Sequence, residues 1–259
     1  MKVAVTGAAG RMGRLIVKKV VEDEQLELVQ AFDVVQTGKD AGEVAGIGRI
    51  GVEIQSDIKK LDADILIDFT TAEAAVKNTQ VAAERGVKLV VGTTGFNDSQ
   101  KKELEENCRR VPSVVSPNFS IGVNVFWKII EFAASYLHEC DVEVVEIHHR
   151  KKKDSPSGTA IKAAEIVKNV LEARKRIVEL KFCREGLSPR GEEIGVFGIR
   201  GGDVVGEHTV YFFGEGERIE IIHRALSREC FASGAILAAK WLAAVDQPGI
   251  YSMNDVLGF

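Results

Sequence analysis

The opening stretch MKVAVTGAAGRMGRL restricts the fold more than any other part of the 259-residue chain. Residues 2–6 form a short apolar run, Gly7 ends it, and from Arg11 onward Met12, Leu15, Ile16, Lys19 and Val20 recur at helical spacing. This reads as strand, tight turn, helix. A second strand over 26–32 stops at Asp33 and completes a strand–helix–strand unit. The alternation continues with strand 64–69, helix 72–85, strand 87–91, helix 98–109 and strand 113–116. Strands separated by helices predict an α/β fold, a doubly wound parallel sheet covered on both faces.

Residues 34–55 are rich in glycine and lack a period, which predicts a surface excursion with at most one short strand. After Pro117 the pattern changes. Ile121, Val125, Ile129, Phe132 and Tyr136 make one helical stripe, and strands are then predicted at 141–149, 177–183, 194–199, 206–213 and 217–223. Gly214-Glu215-Gly216 joins the last two as a hairpin, so this region is expected to form an open mixed sheet. A helix over 157–173, apolar along Ala160, Ala163, Ala164, Val167, Val170 and Leu171, interrupts the strands. A final helix over 229–245 precedes an ordered tail.

Lys and Arg number 34 against 38 Asp and Glu, and the net charge of -4 supplies no global attraction to nucleic acid or to an anionic membrane. No segment offers the ~18 charge-free apolar residues of a membrane span, and the first residues break into Gly and Arg where a signal peptide would stay apolar. A cytoplasmic protein is expected. Cys108, Cys140, Cys183 and Cys230 form no C-x-x-C pair, so neither a metal site nor a disulfide framework is expected.

Gly7, Gly10 and Gly13 stand at the first strand-to-helix turn as G-x-x-G-x-x-G, where missing side chains let backbone N–H groups and a helix N-terminus approach a pyrophosphate. The commoner spacing is G-x-G-x-x-G. With an acid, Asp33, placed 20 residues after Gly13 to accept hydrogen bonds from a ribose, the context is that of a Rossmann-like dinucleotide site. Gly92-Thr93-Thr94-Gly95 and Ser116-Pro117-Asn118-Phe119 follow two later strands, and small polar residues there suit a nicotinamide and its ribose. Without the first motif they would be ordinary turn residues.

The segment EIHHRKKKDSPSGTA, residues 146–160, is the densest in chemistry. Alone, the cations from Arg150 to Lys153 would be a solvated charge run, and adjacent histidines on a strand point to opposite faces. Together with a helix opened by Ser157, Gly158 and Thr159 they describe an anion pocket beside His and Lys proton donors, suited to a small dicarboxylate.

The segments VTGAAGRMGR, DFTTAEA, VVGTTGF, SPNFSIGVNV, EIHHRKKKDSPSGTA, GIRGGDVVGEHTV and YSMNDVLGF together resemble the 4-hydroxy-tetrahydrodipicolinate reductase family, also called dihydrodipicolinate reductase, over essentially the whole chain. In that family H-H-x-x-K-x-D-x-P-S-G-T-A is the catalytic segment. The resemblance implies that His148 and Lys152 donate protons and that His149, Gly158 and Thr159 bind substrate, with Lys151 and Lys153 off register; Ser157 is expected to join the substrate binders as part of the helix-start anion pocket. It implies cofactor contacts at Gly7, Ala8, Ala9, Gly10, Arg11, Met12, Asp33, Gly92, Thr93, Thr94, Ser116, Pro117, Asn118 and Phe119. The implied reaction reduces a cyclic, imine-containing dicarboxylate with NADH or NADPH on the diaminopimelate route to lysine, with no metal. The implied organisation is a dinucleotide domain, 1–119 with 229–259, and a substrate and tetramerisation domain, 120–228.

Asp33 is followed by Val34-Val35 where some family members place a basic residue. An unneutralised carboxylate repels a 2′-phosphate, so NADH is expected to bind at least as tightly as NADPH, with dual use open through Arg11, Arg14 or Lys39. The second region has too few helices to cover both faces of its sheet, so one face is expected to meet another subunit; the resemblance implies a homotetramer. Two rival readings are another two-domain nicotinamide dehydrogenase of amino-acid metabolism, which would lack the His-His to Ser-Gly-Thr segment, and a non-catalytic dinucleotide-sensing regulator.

Overall fold

In the computed structural model, which describes residues 1–259, the first helix follows the first strand as closely as backbones allow. β1 (Lys2–Thr6) runs through the glycine turn into α1 (Arg11–Glu22). Gly7 has φ +71°, and a Cβ at Gly13 would fall 1.9 Å from the Gly7 carbonyl oxygen, so only glycine permits this approach. β2 (Glu27–Phe32), α2 (Ala41–Ala45), β3 (Ile54–Gln55), β4 (Ile65–Asp68), α3 (Ala72–Glu84), β5 (Lys88–Val91), α4 (Asp98–Cys108) and β6 (Pro112–Val115) follow. Then come α5 (Ile121–Tyr136), β7 (Asp141–His148), α6 (Gly158–Ala173), β8 (Glu179–Lys181), β9 (Glu193–Arg200), β10 (Gly206–Gly214), β11 (Glu217–Ala225), α7 (Glu229–Leu242), β12 (Gly249–Tyr251) and α8 (Met253–Leu257). No helix is long and apolar enough to cross a membrane.

The chain divides into two compact units, Met1–Ile121 with Arg228–Phe259, and Gly122–Ser227. The first is built on a seven-stranded parallel sheet in the order β12-β6-β5-β4-β1-β2-β3. Its central strands are buried on both faces, which is why they read as continuous apolar runs. Val3, Val5, Ile65 and Ile67 pack with Ile16, Val17 and Val20 of α1 and Ala235 of α7, whereas Ala4, Leu66, Leu89 and Val91 pack with Ala82 of α3 and Leu104 and Cys108 of α4. Each large aliphatic buried this way contributes about 1.5–3 kcal/mol. The strand order reverses between β1 and β4, and the crevice beyond their carboxyl ends is where ligands of such sheets bind.

The 34–55 excursion is more ordered than its sequence suggests. Besides β3 it holds α2, capped by Asp40, whose carboxylate accepts the N–H groups of Gly42, Glu43, Ile50 and Gly51. Burial pushes the Asp40 carboxyl up, and these four bonds outweigh it and hold it below the usual range.

The second unit has a five-stranded mixed sheet, β11-β10-β7-β9-β8, antiparallel between β11, β10 and β7 and parallel between β7, β9 and β8. Val142, Val144, Ile194, Val196, Val210 and Phe212 face a layer made by α5 and α6. α5 turns a different side inward from the expected stripe. Val123, Phe126, Trp127, Ile130 and Ala134 are buried, while Ile129, Phe132 and Tyr136 are exposed, the last two by 67% and 72%. Apolar residues lie on both sides of a narrow polar stripe, Asn124, Lys128 and Glu131, so periodicity does not choose between the two sides; the one carrying Phe126 and Trp127 turns inward.

Candidate active site

In the first unit the glycine turn, Asp33 and the end of β4 line a cavity of about 460 Å³, together with Thr6, Val34 and Thr70. Ala8 and Ala9 are buried in the turn, Gly10 and Arg11 are exposed, and Met12 is half-buried. Asp33 is fixed at the rim through hydrogen bonds accepted from Ala9 and Val35. Arg14 donates from Nε to the Ala9 carbonyl at 2.8 Å.

Asp68, fully buried at the end of β4, ties the neighbouring strand ends together, a role the sequence reading missed. It accepts from Thr6 Oγ1 (2.7 Å), Thr70 Oγ1 (2.8 Å), Thr93 Oγ1 (2.7 Å) and Asn78 Nδ2 (2.7 Å). The signal was an acid ending an otherwise apolar strand. Thr93 also accepts the Thr70 N–H, so its hydroxyl is held inside, while Thr94 is exposed. A Cβ at Gly92 would meet the Phe69 ring at 2.2 Å. Ser116 donates to the Asn118 carbonyl, the Asn118 side chain accepts from Ser120, Pro117 is exposed, and Phe119 is a core residue against Phe69 at 5.6 Å between ring centroids.

In the second unit, register explains the site. Gly198 of β9, Glu146 of β7, His208 of β10 and His223 of β11 form one row across the sheet on the face toward α6. His148, two residues beyond Glu146 and paired with Arg200, lies in the next row. His148 Nδ1 is 2.5 Å from Glu146 Oε2, and Arg200 bonds both carboxylate oxygens at 2.8 and 2.7 Å. Burial pushes the Glu146 carboxyl up, but hydrogen bonds from His148 and Arg200 dominate and hold it at about 2. Burial, reinforced by nearby His148, drives His208 down to about 3, so this imidazole is neutral. Glu146, Arg200 and His208 were not singled out from the sequence; only the even spacing of Glu146 and His148 along a strand hinted that they share a face.

From His148 the chain crosses the cationic loop and a cis Ser155–Pro156 bond into α6. Lys152 Nζ lies 2.9 Å from Asp154. His149 is half-buried, with its backbone N–H on the Val204 carbonyl. Ser157 caps α6, its hydroxyl accepting the Ala160 N–H at 3.3 Å and meeting His208 Nε2 at 3.1 Å. That hydroxyl is buried, so Ser157 supports the helix end from within. Gly158 is exposed at the first turn, where an added Cβ would meet nothing within 4 Å. Thr159 follows, half-buried, its carbonyl accepting from Trp127. The structure thus brings His148, Ser157 and the start of α6 together around Glu146. Chemically, the arrangement offers an ionisable ring beside a positively polarised helix end, with a lysine on the intervening loop.

Residues 1–119 match the family model described as dihydrodipicolinate reductase, N-terminus, and residues 122–257 match the model described as dihydrodipicolinate reductase, C-terminus. A 4-hydroxy-tetrahydrodipicolinate reductase of Archaeoglobus fulgidus is 66% identical over 99% of this chain and 100% of its own length. The protein of that name from Methanosarcina barkeri is 50% identical, covering 100% of this chain and 99% of its own. Among solved structures, a dipicolinate-bound dihydrodipicolinate reductase from Paenisporosarcina sp. TG-14 superposes with a TM-score of 0.75 at 27% identity, covering 97% of each chain.

Proposed function

Because the chain belongs to the dihydrodipicolinate reductase family, we propose that it reduces 4-hydroxy-tetrahydrodipicolinate to tetrahydrodipicolinate with NADH or NADPH, on the diaminopimelate route to lysine. The observation that carries this reading in the molecule itself is the convergence of His148 and the N-terminus of α6 on the buried Glu146. A dicarboxylate substrate needs cationic or N–H partners for its carboxylates and a proton donor near its ring, and this segment supplies both.

The first unit suits a dinucleotide. Gly7 and Gly10 line the space over the turn without side chains, the close packing of Gly13 on Gly7 holds the helix start beside it, and Asp33 stands at the cavity rim for ribose hydroxyls. Gly7 to Met12 and Asp33 would hold the adenosine and phosphate side, and Gly92 to Thr94 with Ser116 to Phe119 the nicotinamide side. The bound cofactor supplies the hydride.

The chain's own residues handle binding and protons. The first turn of α6, at Gly158 and Thr159, binds a substrate carboxylate through backbone N–H groups, assisted by His149. Net reaction consumes one hydride and one proton and releases the 4-hydroxyl group as water. Electron density left on the ring-nitrogen side is relieved by a proton from Lys152 Nζ or His148. Lys152 exchanges its Asp154 partner for the substrate in doing so.

The face of the mixed sheet opposite α5 and α6 presents Phe213, Ile199 and Ile222, all exposed, and Tyr211 stacked on Phe213 at 5.7 Å. This supports burial against other copies, as a homotetramer. Sedimentation at assay concentrations tests it, and a fully active monomer would count against it.

The decisive experiment supplies enzymatically generated substrate to the purified protein and follows nicotinamide oxidation. Turnover with either cofactor is expected; a protein that binds NADH and never oxidises it in the presence of substrate would refute the reading.

A further inference from the structure

Every partner of the Glu146 carboxylate is a donor. The Ser157 N–H reaches Oε1 at 2.9 Å, Arg200 reaches Oε1 at 2.7 Å and Oε2 at 2.8 Å, and His148 Nδ1 lies 2.5 Å from Oε2. Glu146 is 0% exposed, and with its acidity held at about 2 it has no proton to give at neutral pH. The hydrogen between it and His148 therefore belongs to the ring. An imidazole whose Nδ1 carries the hydrogen is left with Nε2 as the nitrogen that gains and loses a proton.

Two glycines on the neighbouring strands keep this arrangement possible. A Cβ at Gly206 of β10 would lie 2.9 Å from His148 Nε2, so the missing side chain leaves that nitrogen unobstructed. A Cβ at Gly198 of β9 would lie 2.8 Å from Glu146 Oε1 and 2.3 Å from Ser155 Oγ. Around the ring, β9 contributes the Arg200 guanidinium, β10 the neutral His208 at 5.2 Å between centroids and β11 the His223 beyond it, while Lys152 on the following loop is paired with Asp154. Glu146 is the one anion bonded to the ring.

We infer that Glu146 is a positioning residue for the reaction: it fixes His148 as the Nδ1–H tautomer, reserves Nε2 for proton transfer, and ties that ring to the N-terminus of α6 through the Ser157 N–H. One carboxylate thereby sets the spacing between proton donor and anion pocket, while Arg200 balances its charge and grips the Asp154 carbonyl at 2.6 Å, bracing the loop that carries Lys152. This rests on His148 acting as a proton donor, as proposed above.

The test is nitrogen-15 NMR of histidine-labelled full-length protein, at a pH where the ring is neutral, with His148 assigned through His148→Asn. The wild type is expected to show a protonated Nδ1 and a bare Nε2. In Glu146→Gln an amide NH₂ must face one of the former donors, so the ring is expected to shift toward the Nε2–H tautomer. kcat should fall about 10–100-fold, part of the ~10²–10⁴ contributed by a general acid, while the KM for NADH stays within twofold. A wild-type ring protonated at Nε2 overturns the inference without any variant. So does a Glu146→Gln protein that keeps both the tautomer and kcat within twofold. Because the tautomer is read without turnover, a wild type that shows the expected ring and no activity refutes the proposed function instead.

Discussion

Asp33 accepts the Ala9 N–H at 2.9 Å, so the carboxylate that ends β2 is locked against the glycine turn that follows β1. Its other oxygen accepts the Val35 N–H at 3.0 Å, which leaves the Val34 side chain outside, 88% exposed. A 2′-phosphate placed here would meet a fixed anion. NADH is expected to bind at least as tightly as NADPH, and Val34→Arg to move the ratio toward NADPH by about tenfold, or ~1.4 kcal/mol. Calorimetry with both cofactors at fixed salt decides it; wild-type protein preferring NADPH tenfold would refute the argument.

Lys152→Ala is expected to lower turnover by about 10²–10⁴-fold with cofactor affinity little changed, since the side chain is proposed to act on the substrate and belongs to the second unit. Lys151 is exposed and off register, so Lys151→Ala should retain most activity. Steady-state kinetics on the pair reads the register directly, and a reversed pattern would sink it.

For Gly158→Ala the expectation is a folded protein with weakened substrate binding. An added methyl meets no protein atom within 4 Å, so the melting temperature should hold. The same methyl stands over the first turn of α6, where the carboxylate is proposed to sit, and a rise in substrate KM of about tenfold, ~1.4 kcal/mol, is expected. An unchanged KM would place the carboxylate elsewhere.

Removing the Asp68 carboxylate strands the hydroxyls of Thr6, Thr70 and Thr93 and the amide of Asn78. Asp68→Ala should cost about 3 kcal/mol and lower the melting temperature by roughly 6–12 °C, seen in thermal melts by circular dichroism. A shift of a degree or less would mean that these donors find other acceptors.

Stability should fall on mild acidification. His208 titrates at about 3 in the folded protein against an ordinary value of 6.5, so between those limits the unfolded chain holds a proton the folded one refuses. Stability then rises with pH through that window and is lost as pH drops, by up to about 1.4 kcal/mol per pH unit. Glu146, at about 2 against 4.5, acts in the same direction lower down, its contribution being full above 4.5 and lost as pH falls through 2. Melts at pH 7, 5.5 and 4.5 should show the decline, and His208→Gln should flatten it; an identical slope in the variant would assign the decline to other groups.

The elements most legible in the sequence were those with one strong period. β1 and α1 were readable because a glycine turn separates two periodicities, and the α6 start because Ser157 is a capping residue before an apolar stripe. α2 was not readable, since it is held by four N–H groups on the Asp40 carboxylate, two of which, those of Ile50 and Gly51, come from a loop about ten residues on. The inward face of α5 was ambiguous because apolar residues lie on both sides of its polar stripe. At the site, the continuous segment 146–160 made the neighbourhood of His148 and the α6 start legible, whereas Arg200 reaches Glu146 from 54 residues away through strand register, which a single sequence does not display.

The first unit is assembled from both ends of the chain, with Val3, Val5 and Ile16 sharing a core with Ala235, Ala239, Leu242 and Met253. During synthesis, therefore, the glycine turn and its strands leave the ribosome well before the helix that must cover them. The intervening unit, Gly122–Ser227, is continuous and has all its own core residues as soon as it emerges. The order of folding is then expected to invert the order of translation, with the middle of the chain reaching its native core first. A chain cut before Glu229 lacks α7 and leaves the early-made sheet with only α1 over that face, exposing apolar residues a chaperone would bind.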